Sequence, residues 1–512
     1  MTGQKYRLFS LGDLNAFFGL LLDNMLNLVV LGGILIGGFG FPADIVYRKM
    51  IPGTAIGVLV GDLVYTWLAI RLARKSGRNT ITAMPLGLDT PTTIGIAVTV
   101  LGPVFLETKD AVTAWHVGMA VTVIMGVVKT VFSFFGDVVK RSLPTAALLG
   151  SIAGIGLVLL GHFPVTKIFA HPIVGFTTLV IVLAAFVGRF KIPCNIPGAL
   201  LAVGVGTLLY YLLGAVGVSE MKTPALDLFV ALPLPTLGFA YGIPKSLAYL
   251  SLAIPFGLLT IVGGINVTES ARLAGDDFRT RDILLTEAIA TLVAGVCGGV
   301  VQSTPYIGHP AYKAMGARAG YTLLTALAVG IGGVLGLVAL VVDLLPEAAV
   351  TPILLFVGLE IIHQAFAETP KHHVKAIAFS MLPIVGYLAL INYDTIVSAL
   401  GGAPVPASVA RDHDTVRAIG HGFILTAVLW GSMLVGIIDR RRTLFIAVTL
   451  VAVGLSLFGF IHSVLPSGGI YWPTTPATTL HYQIAIGYLI VLGVGLGLMR
   501  GQPAAPESAG AA

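Results

Sequence analysis

The sequence predicts an all-α polytopic membrane protein made of two inverted repeats of seven spans. Three observations carry this. Apolar stretches of about 20 residues, enough to cross the hydrocarbon core, recur from Leu14 to the C-terminal end. They fall into two sets of seven, and the third stretch of each set is broken by Pro and Gly. With 56% hydrophobic and only 11% charged residues, the 512-residue chain has a mean hydropathy of +0.94. An average soluble domain has about 25% charged residues, so a soluble fold could not hide this much apolar surface.

The net charge of +6 would suggest nucleic acid in a soluble chain, but here the basic residues follow the loops. With the N-terminus inside, the inward connections hold 21 of the 30 Lys and Arg residues, among them Arg74, Lys75, Arg440, Arg441 and Arg442. Both termini are therefore expected to be cytoplasmic, in a multi-pass protein of the cell membrane. The first 13 residues are mixed and the next segment is long enough to span, so no cleavable leader is expected and the first helix serves for insertion. Cys194 and Cys297 fall in a connection and in a span, which gives a disulfide framework no support.

In chain order, residues 1–13 form a cytoplasmic N-terminus. Residues 14–217 hold the first repeat, with spans at 14–36, 52–73, 82–104, 112–135, 145–162, 172–189 and 196–217. A polar, Pro-bearing linker at 218–247 contains Glu220, Lys222 and Asp227. The second repeat, 248–438, has spans at 248–271, 283–300, 301–317, 321–345, 348–366, 374–392 and 417–438. Two additional spans, 443–464 and 482–499, occupy 439–500, and the small, Pro-containing tail at 501–512 reads as disordered. Seven spans per half is an odd number, so the second half enters the membrane in the opposite orientation.

The broken third and tenth segments are the strongest pointers to a site. "AMPLGLDTPTTIG" (Ala83 to Gly95) and "VQSTPYIGHPAYKAMG" (Val301 to Gly316) share Thr-Pro followed by Ile-Gly: Thr90, Pro91, Ile94 and Gly95, then Thr304, Pro305, Ile307 and Gly308. Half-helix ends leave backbone donors and dipoles for a polar ligand, and interrupted segments at matching places in two halves mark a transporter's binding site.

Charged groups are costly at membrane depth, so each acid inside a span needs a reason. Asp89 lies among Gly87, Thr90 and Thr93 and could bind ligand, or could be satisfied locally by its own backbone before Pro91. Glu269 sits beside Asn266, Thr268 and Ser270, against a structural pairing with Arg272. Asp23 and Asn27 are four residues apart on one helix face, fit either for ligand contact or for interhelical hydrogen bonds. Tyr306 offers a ring for stacking near Gln302, Ser303 and Thr304. Glu360 could line a gate, while its Glu-x-x-His pairing with His363 is one motif where a di-iron site needs two. Asp62 and Glu287 read as interhelical partners, and the His372–His373 pair is too short to imply a metal.

The runs "INVTESARLAGDDF", "GGVVQSTPYIGHPAYKAMGARAGY" and "TPILLFVGLEI" resemble the nucleobase/ascorbate transporter superfamily, near its hypoxanthine/guanine/adenine permease branch, over about residues 11–438. The resemblance implies core and gate domains, short strands in the third and tenth segments, and substrate held between those strands. It places the eighth-span acid on Glu269 and the tenth-span polar position on His309, with both in proton coupling. Pro310, Tyr312 and Ala317 depart from the tenth-span signature, where only Arg318 agrees.

A primary pump is not expected, since the sequence has no G-x-x-x-x-G-K-[ST] motif or domain to hold one, and it has no G-x-S-x-G or H-E-x-x-H motif for a membrane enzyme. The expectation is a secondary permease, not an enzyme. It would move a nucleobase such as xanthine or uracil with a proton by an elevator-type motion, through Glu269, His309, Asp89, Thr90, Thr304, Tyr306, Asn266 and Asn27, with Asp23 and Glu360 lining the path. The alternative is a carboxylate or inorganic anion transporter of the same architecture. The expected partners are a small-molecule substrate, the lipid bilayer and a second copy in a homodimer, with no nucleic acid, cofactor or metal.

Overall fold

The computed structural model describes residues 6–135, 143–190, 192, 198–218, 228–306, 308–399, 406–466, 468–476, 478–500 and 502. Cys194, the linker residues Glu220, Lys222 and Asp227, Ile307 of the second Thr-Pro echo, and the tail beyond Gln502 lie outside the described residues.

In chain order the elements are α1 (Gly12–Gly38), α2 (Ala43–Ser76), β1 (Leu86–Leu88), α3 (Thr90–Thr108), α4 (Ala111–Phe132), α5 (Thr145–Ala170), α6 (Pro172–Val187) and α7 (Gly198–Ala215). They continue with α8 (Gly238–Ser246), α9 (Leu250–Leu273), α10 (Thr280–Val296), β2 (Ser303–Pro305), α11 (His309–Ala314), α12 (Gly320–Val334) and α13 (Leu337–Leu344). The last are α14 (Glu347–Ala367), α15 (Val374–Ala399), α16 (Ala407–Gly420), α17 (Phe423–Ile438), α18 (Arg442–Leu457) and α19 (Leu480–Met499). Among the described residues 10 helices are long and apolar enough to cross a membrane, or 12 if each of two bent pairs is one span. The protein is a polytopic all-α membrane protein. Large apolar side chains such as Leu208 and Ile490, each 60% exposed, cover its outer surface, as lipid contact demands.

Two expected spans are bent. The segment read as 321–345 turns by 87° between α12 and α13, where Gly336 takes φ +73, and the one read as 417–438 begins earlier, at Ala407, and turns by 67° before Phe423. A residue with a side chain seldom adopts that left-handed φ, so the glycines at these corners release the chain from a straight helix.

The chain divides into two compact units. The first comprises residues 1–136, 163–246 and 256–356, and the second residues 137–162, 247–255 and 357–512. In the first unit α2 packs on α10 and α12, and α4 on α8 and α10. Gly53 of α2 lies so close to Gly298 and Gly299 that a Cβ at Gly53 would run into backbone. This contact brings the turn ahead of β2 against α2. An apolar core that includes Leu20, Tyr65, Leu86, Tyr312 and Tyr321 surrounds the strands. In the second unit α15 packs against the start of α5 and against α16 and α17, and α18 pairs with α19.

β1 and β2 pair antiparallel, with Leu86 opposite Pro305, Gly87 opposite Thr304 and Leu88 opposite Ser303. Corresponding segments of two oppositely inserted halves run in opposite directions, so antiparallel pairing is what inverted repeats produce. Pro85, Pro91 and Pro305 withhold backbone donors and stop helix from running through these segments. Asp89 then starts α3 as its N-cap, accepting from the Thr92 N–H at 3.1 Å and from the Thr92 hydroxyl.

Candidate functional site

A two-stranded ribbon at membrane depth has two open edges, and each unpaired backbone group there costs several kcal/mol unless protein satisfies it. Side chains from the surrounding helices do so here. On β1 the Leu86 N–H donates to Asp62 Oδ1 at 3.1 Å and the Leu88 N–H to Asn24 Oδ1 at 3.2 Å, while the Leu88 carbonyl accepts from Asn27 Nδ2 at 3.4 Å. On β2 the Ser303 N–H donates to Thr291 Oγ1 at 3.2 Å, and its carbonyl accepts from Lys129 Nζ at 2.6 Å. The strands are joined beyond their ends by the Asp89 N–H to the Gln302 carbonyl, 3.0 Å, and by the Tyr306 N–H to the Pro85 carbonyl, 2.9 Å.

The polar groups on α1, α2, α4 and α10 therefore hold the ribbon in place, and some of them have capacity to spare. Lys129 and Glu287 are both 0% exposed and form an ion pair at 3.5 Å. Gln302 Nε2 reaches Thr92 Oγ1 at 2.6 Å and Asp89 Oδ2 at 3.3 Å. Asp23 Oδ2, Asn27 Oδ1, Asp62 Oδ2, Gln302 Oε1 and the Ser303 hydroxyl are buried without a hydrogen-bond partner among the described residues. Gly87 admits Asp23 to the strand, since a Cβ there would stand 3.0 Å from Asp23 Oδ2. The result is a buried cluster of acceptor oxygens with four carboxyl groups, Asp23, Asp62, Asp89 and Glu287, and one ammonium group.

The expected site residues divide. Asp89, Thr90, Thr304, Asn27 and Asp23 lie on or against the ribbon, and Tyr306 follows β2 directly, its ring stacked on Tyr312 at 6.2 Å. Glu269 is not brought to the strands. Its side chain is 44% exposed and engages Arg272 through Nη2 at 2.5 Å and Nε at 2.9 Å, the structural pairing weighed in the sequence. Asn266 is half-buried on α9 with no hydrogen bond to either strand. Glu360 is exposed on the part of α14 that belongs to the second unit.

His309 is buried but belongs to a separate cluster at the end of the tenth segment. Its Nε2 lies 3.3 Å from both Asp276 Oδ2 and the Thr82 carbonyl, and Asp276 also receives Lys313 Nζ at 2.5 Å and the Thr82 N–H at 3.0 Å. Burial opposes the charge on Asp276, yet the hydrogen bonds from His309, Lys313 and Thr82 hold its carboxyl below the usual range. This cluster ties the loop after α9 to the residues before β1.

In the sequence Lys129 was given no role, Gln302 and Asn24 stood only as polar neighbours of Tyr306 and of Asp23, and Asp62 and Glu287 were given only to neighbouring helices. Asp62 in fact binds a strand amide. The signal for Lys129 was a lysine in the middle of a span, which persists only when paired. The His372–His373 pair also gains a third group, because Asp439 Oδ1 lies 3.6 Å and 2.7 Å from their Nε2 atoms.

No family model and no curated protein matches the sequence. Among solved structures the chain is similar to the transmembrane domain of the cyanobacterial bicarbonate transporter BicA, at 15% identity over 78% of this chain and 100% of that one, TM-score 0.47. It is similar to SLC26A9 at 13% identity over 74% of this chain and 65% of that one, TM-score 0.50. It is also similar to the murine Slc26a9 anion transporter in its inward-facing state, at 14% identity over 78% of this chain and 70% of that one, TM-score 0.53. These matches correct the expected kinship with nucleobase permeases and the nucleobase substrate that came with it. Thr90, Pro91, Ile94 and Gly95 lie in α3 whereas Thr304 and Pro305 lie in β2, so the echo does not fall on matching elements of the two segments. The chain has the inverted-repeat transmembrane fold seen in the murine Slc26a9 structure.

Proposed function

We propose that the protein is a secondary transporter of a small inorganic or carboxylate anion, which enters together with protons or a monovalent cation at the β1–β2 ribbon. The observation that carries this reading is the pairing of Lys129 with Glu287 beside β2, a fully buried cation in a fold shared with a murine anion transporter. Lys129 Nζ, held by the Ser303 carbonyl and within 3.4 Å of Thr291 Oγ1, is the one fixed positive charge among the groups described at the ribbon. The four carboxyl groups at the ribbon would repel an anion at short range in a buried site. Charge balance therefore asks for a proton or small cation on the unpartnered oxygens of Asp23 or Asp62 whenever the anion is bound.

The test is uptake of labelled bicarbonate, sulfate and short carboxylates by proteoliposomes containing wild type or Lys129→Met. The proposal expects one of these anions to accumulate with wild type and to fall to the protein-free level with the variant. Uptake of none of them, or uptake that Lys129→Met leaves intact, would overturn it.

A further inference from the structure

The second unit contains a hollow of about 650 Å³ with no part in the ribbon site, walled by Phe379 of α15, Ile419 of α16, Trp430 and Ile437 of α17, and Gly487 and Val491 of α19. We propose that it binds one acyl chain of an anionic phospholipid, whose headgroup rests on the basic residues at the α17–α18 turn.

The shape of the wall favours a chain over a compact ligand. The lining residues on α19 run from Leu480 to Val491, which at 1.5 Å per residue is about 16 Å, close to half of a hydrocarbon core ~30 Å thick and thus to one leaflet. The polar atoms in the wall are already used. His462 Nδ1 lies 2.5 Å from the Ala418 carbonyl, which can only accept, so Nδ1 carries the proton. His462 Nε2 then accepts from the Tyr488 hydroxyl at 2.8 Å, and that oxygen accepts from Trp430 Nε1 at 2.7 Å. Bound among themselves, the three rings offer only apolar surface, which suits methylene groups. Ile437 and Val491 are each 45% exposed, so the wall opens on the lipid-facing surface.

Charge selects the headgroup. Ile437 and Phe445, both in the wall, flank the turn that carries Arg440, Arg441 and Arg442. Arg442 Nη2 donates to the Met499 carbonyl at 2.5 Å, which brings Arg500 to the same end. Across the turn, His373 meets Asp439 at 2.7 Å and places Lys371 and Lys375 there as well. Among the described residues the acids at this end are Asp439, engaged by His372 and His373, and the exposed Glu368. A surplus of Lys and Arg at a helix end favours an anionic lipid, by about fivefold for each basic group near the headgroup.

The experiment reconstitutes the full chain in vesicles of equal phosphatidylglycerol and phosphatidylcholine with identical acyl chains, extracts it in mild detergent and counts retained lipids by native mass spectrometry. Wild type should retain phosphatidylglycerol at least about fivefold over phosphatidylcholine. Gly487→Leu fills the hollow from a position where an added Cβ meets nothing within 4 Å, and should remove the retained lipid. Val491→Phe on the same wall is the second filling variant if Gly487→Leu does not fold. Arg441→Gln with Lys375→Gln should lower the preference at least about fivefold while leaving a lipid bound. Equal retention of the two lipids by wild type, or a preference that survives both filling variants, would overturn the proposal.

Discussion

Lys129 and Glu287 are the buried pair on which both the ribbon and the proposed transport depend, and breaking them is the most informative perturbation. Both side chains are 0% exposed and stand 3.5 Å apart. Lys129→Met removes the cation with little change in length. Ser303 O still has Thr291 Oγ1 within 3.4 Å, so most of the cost is the charge left alone on Glu287. Breaking a buried pair from one side costs about 3–5 kcal/mol, which is about a hundredfold to several thousandfold in folded population. Lys129→Met with Glu287→Gln removes both charges and should recover most of that loss, giving a coupling of about 2 kcal/mol or more in a double-mutant cycle. Unfolding in mixed micelles, followed by tryptophan fluorescence, measures each variant. A single variant that costs under about 1 kcal/mol, or two changes that simply add, would show that Lys129 is not the counter-ion of Glu287 and would refute the electrostatic account.

Three further outcomes follow from the contacts. Glu269→Gln removes an exposed pair with Arg272, so stability should change by no more than about 1 kcal/mol and uptake by less than about twofold; abolished transport would return Glu269 to the site. Asn24→Ala strips the acceptor from the buried Leu88 N–H and should cost about 1–3 kcal/mol, checked by thermal unfolding in detergent, whereas no loss would mean that β1 does not need this edge contact. Asp276 has a folded-state pKa below its unfolded value, so its stabilisation is present above the usual carboxyl range near about 4 and is lost as pH falls through the folded value. The melting difference between wild type and Asp276→Asn should therefore be largest near neutrality and shrink on acidification; a difference that grows toward acid would contradict the bonding seen around this carboxyl.

Much of the architecture was legible because lipid imposes a simple rule on sequence. Long apolar runs gave the spans, and Pro85, Pro91 and Pro305 marked where helix had to stop. The bends at Gly336 and Gly422 were not legible, since glycine in a Gly-rich membrane chain marks close helix packing as often as a corner. At the site, Asp89, Asp23 and Asn27 followed from the cost of polar groups at depth, and the structure places them on the ribbon. Glu269 and His309 came from likeness to a family whose strands and breaks look similar. Such likeness carries over backbone geometry but not the positions of charges. Glu269 is turned outward to Arg272, and His309 serves a loop cluster with Asp276. The cost argument that found Asp89 applied equally to Lys129, and would have led to Glu287 had the lysine been followed to its counter-ion.

The most direct test of a small anion moving with a proton or cation is accumulation of the transported anion in proteoliposomes under an imposed inward proton or sodium gradient, with and without an ionophore that collapses it. The account predicts accumulation above equilibrium that follows one gradient, vanishes with its ionophore and is absent in Lys129→Met. Anion entry that only equilibrates and ignores both gradients would contradict it, because the four carboxyl groups at the ribbon would then have to admit an anion with no compensating charge.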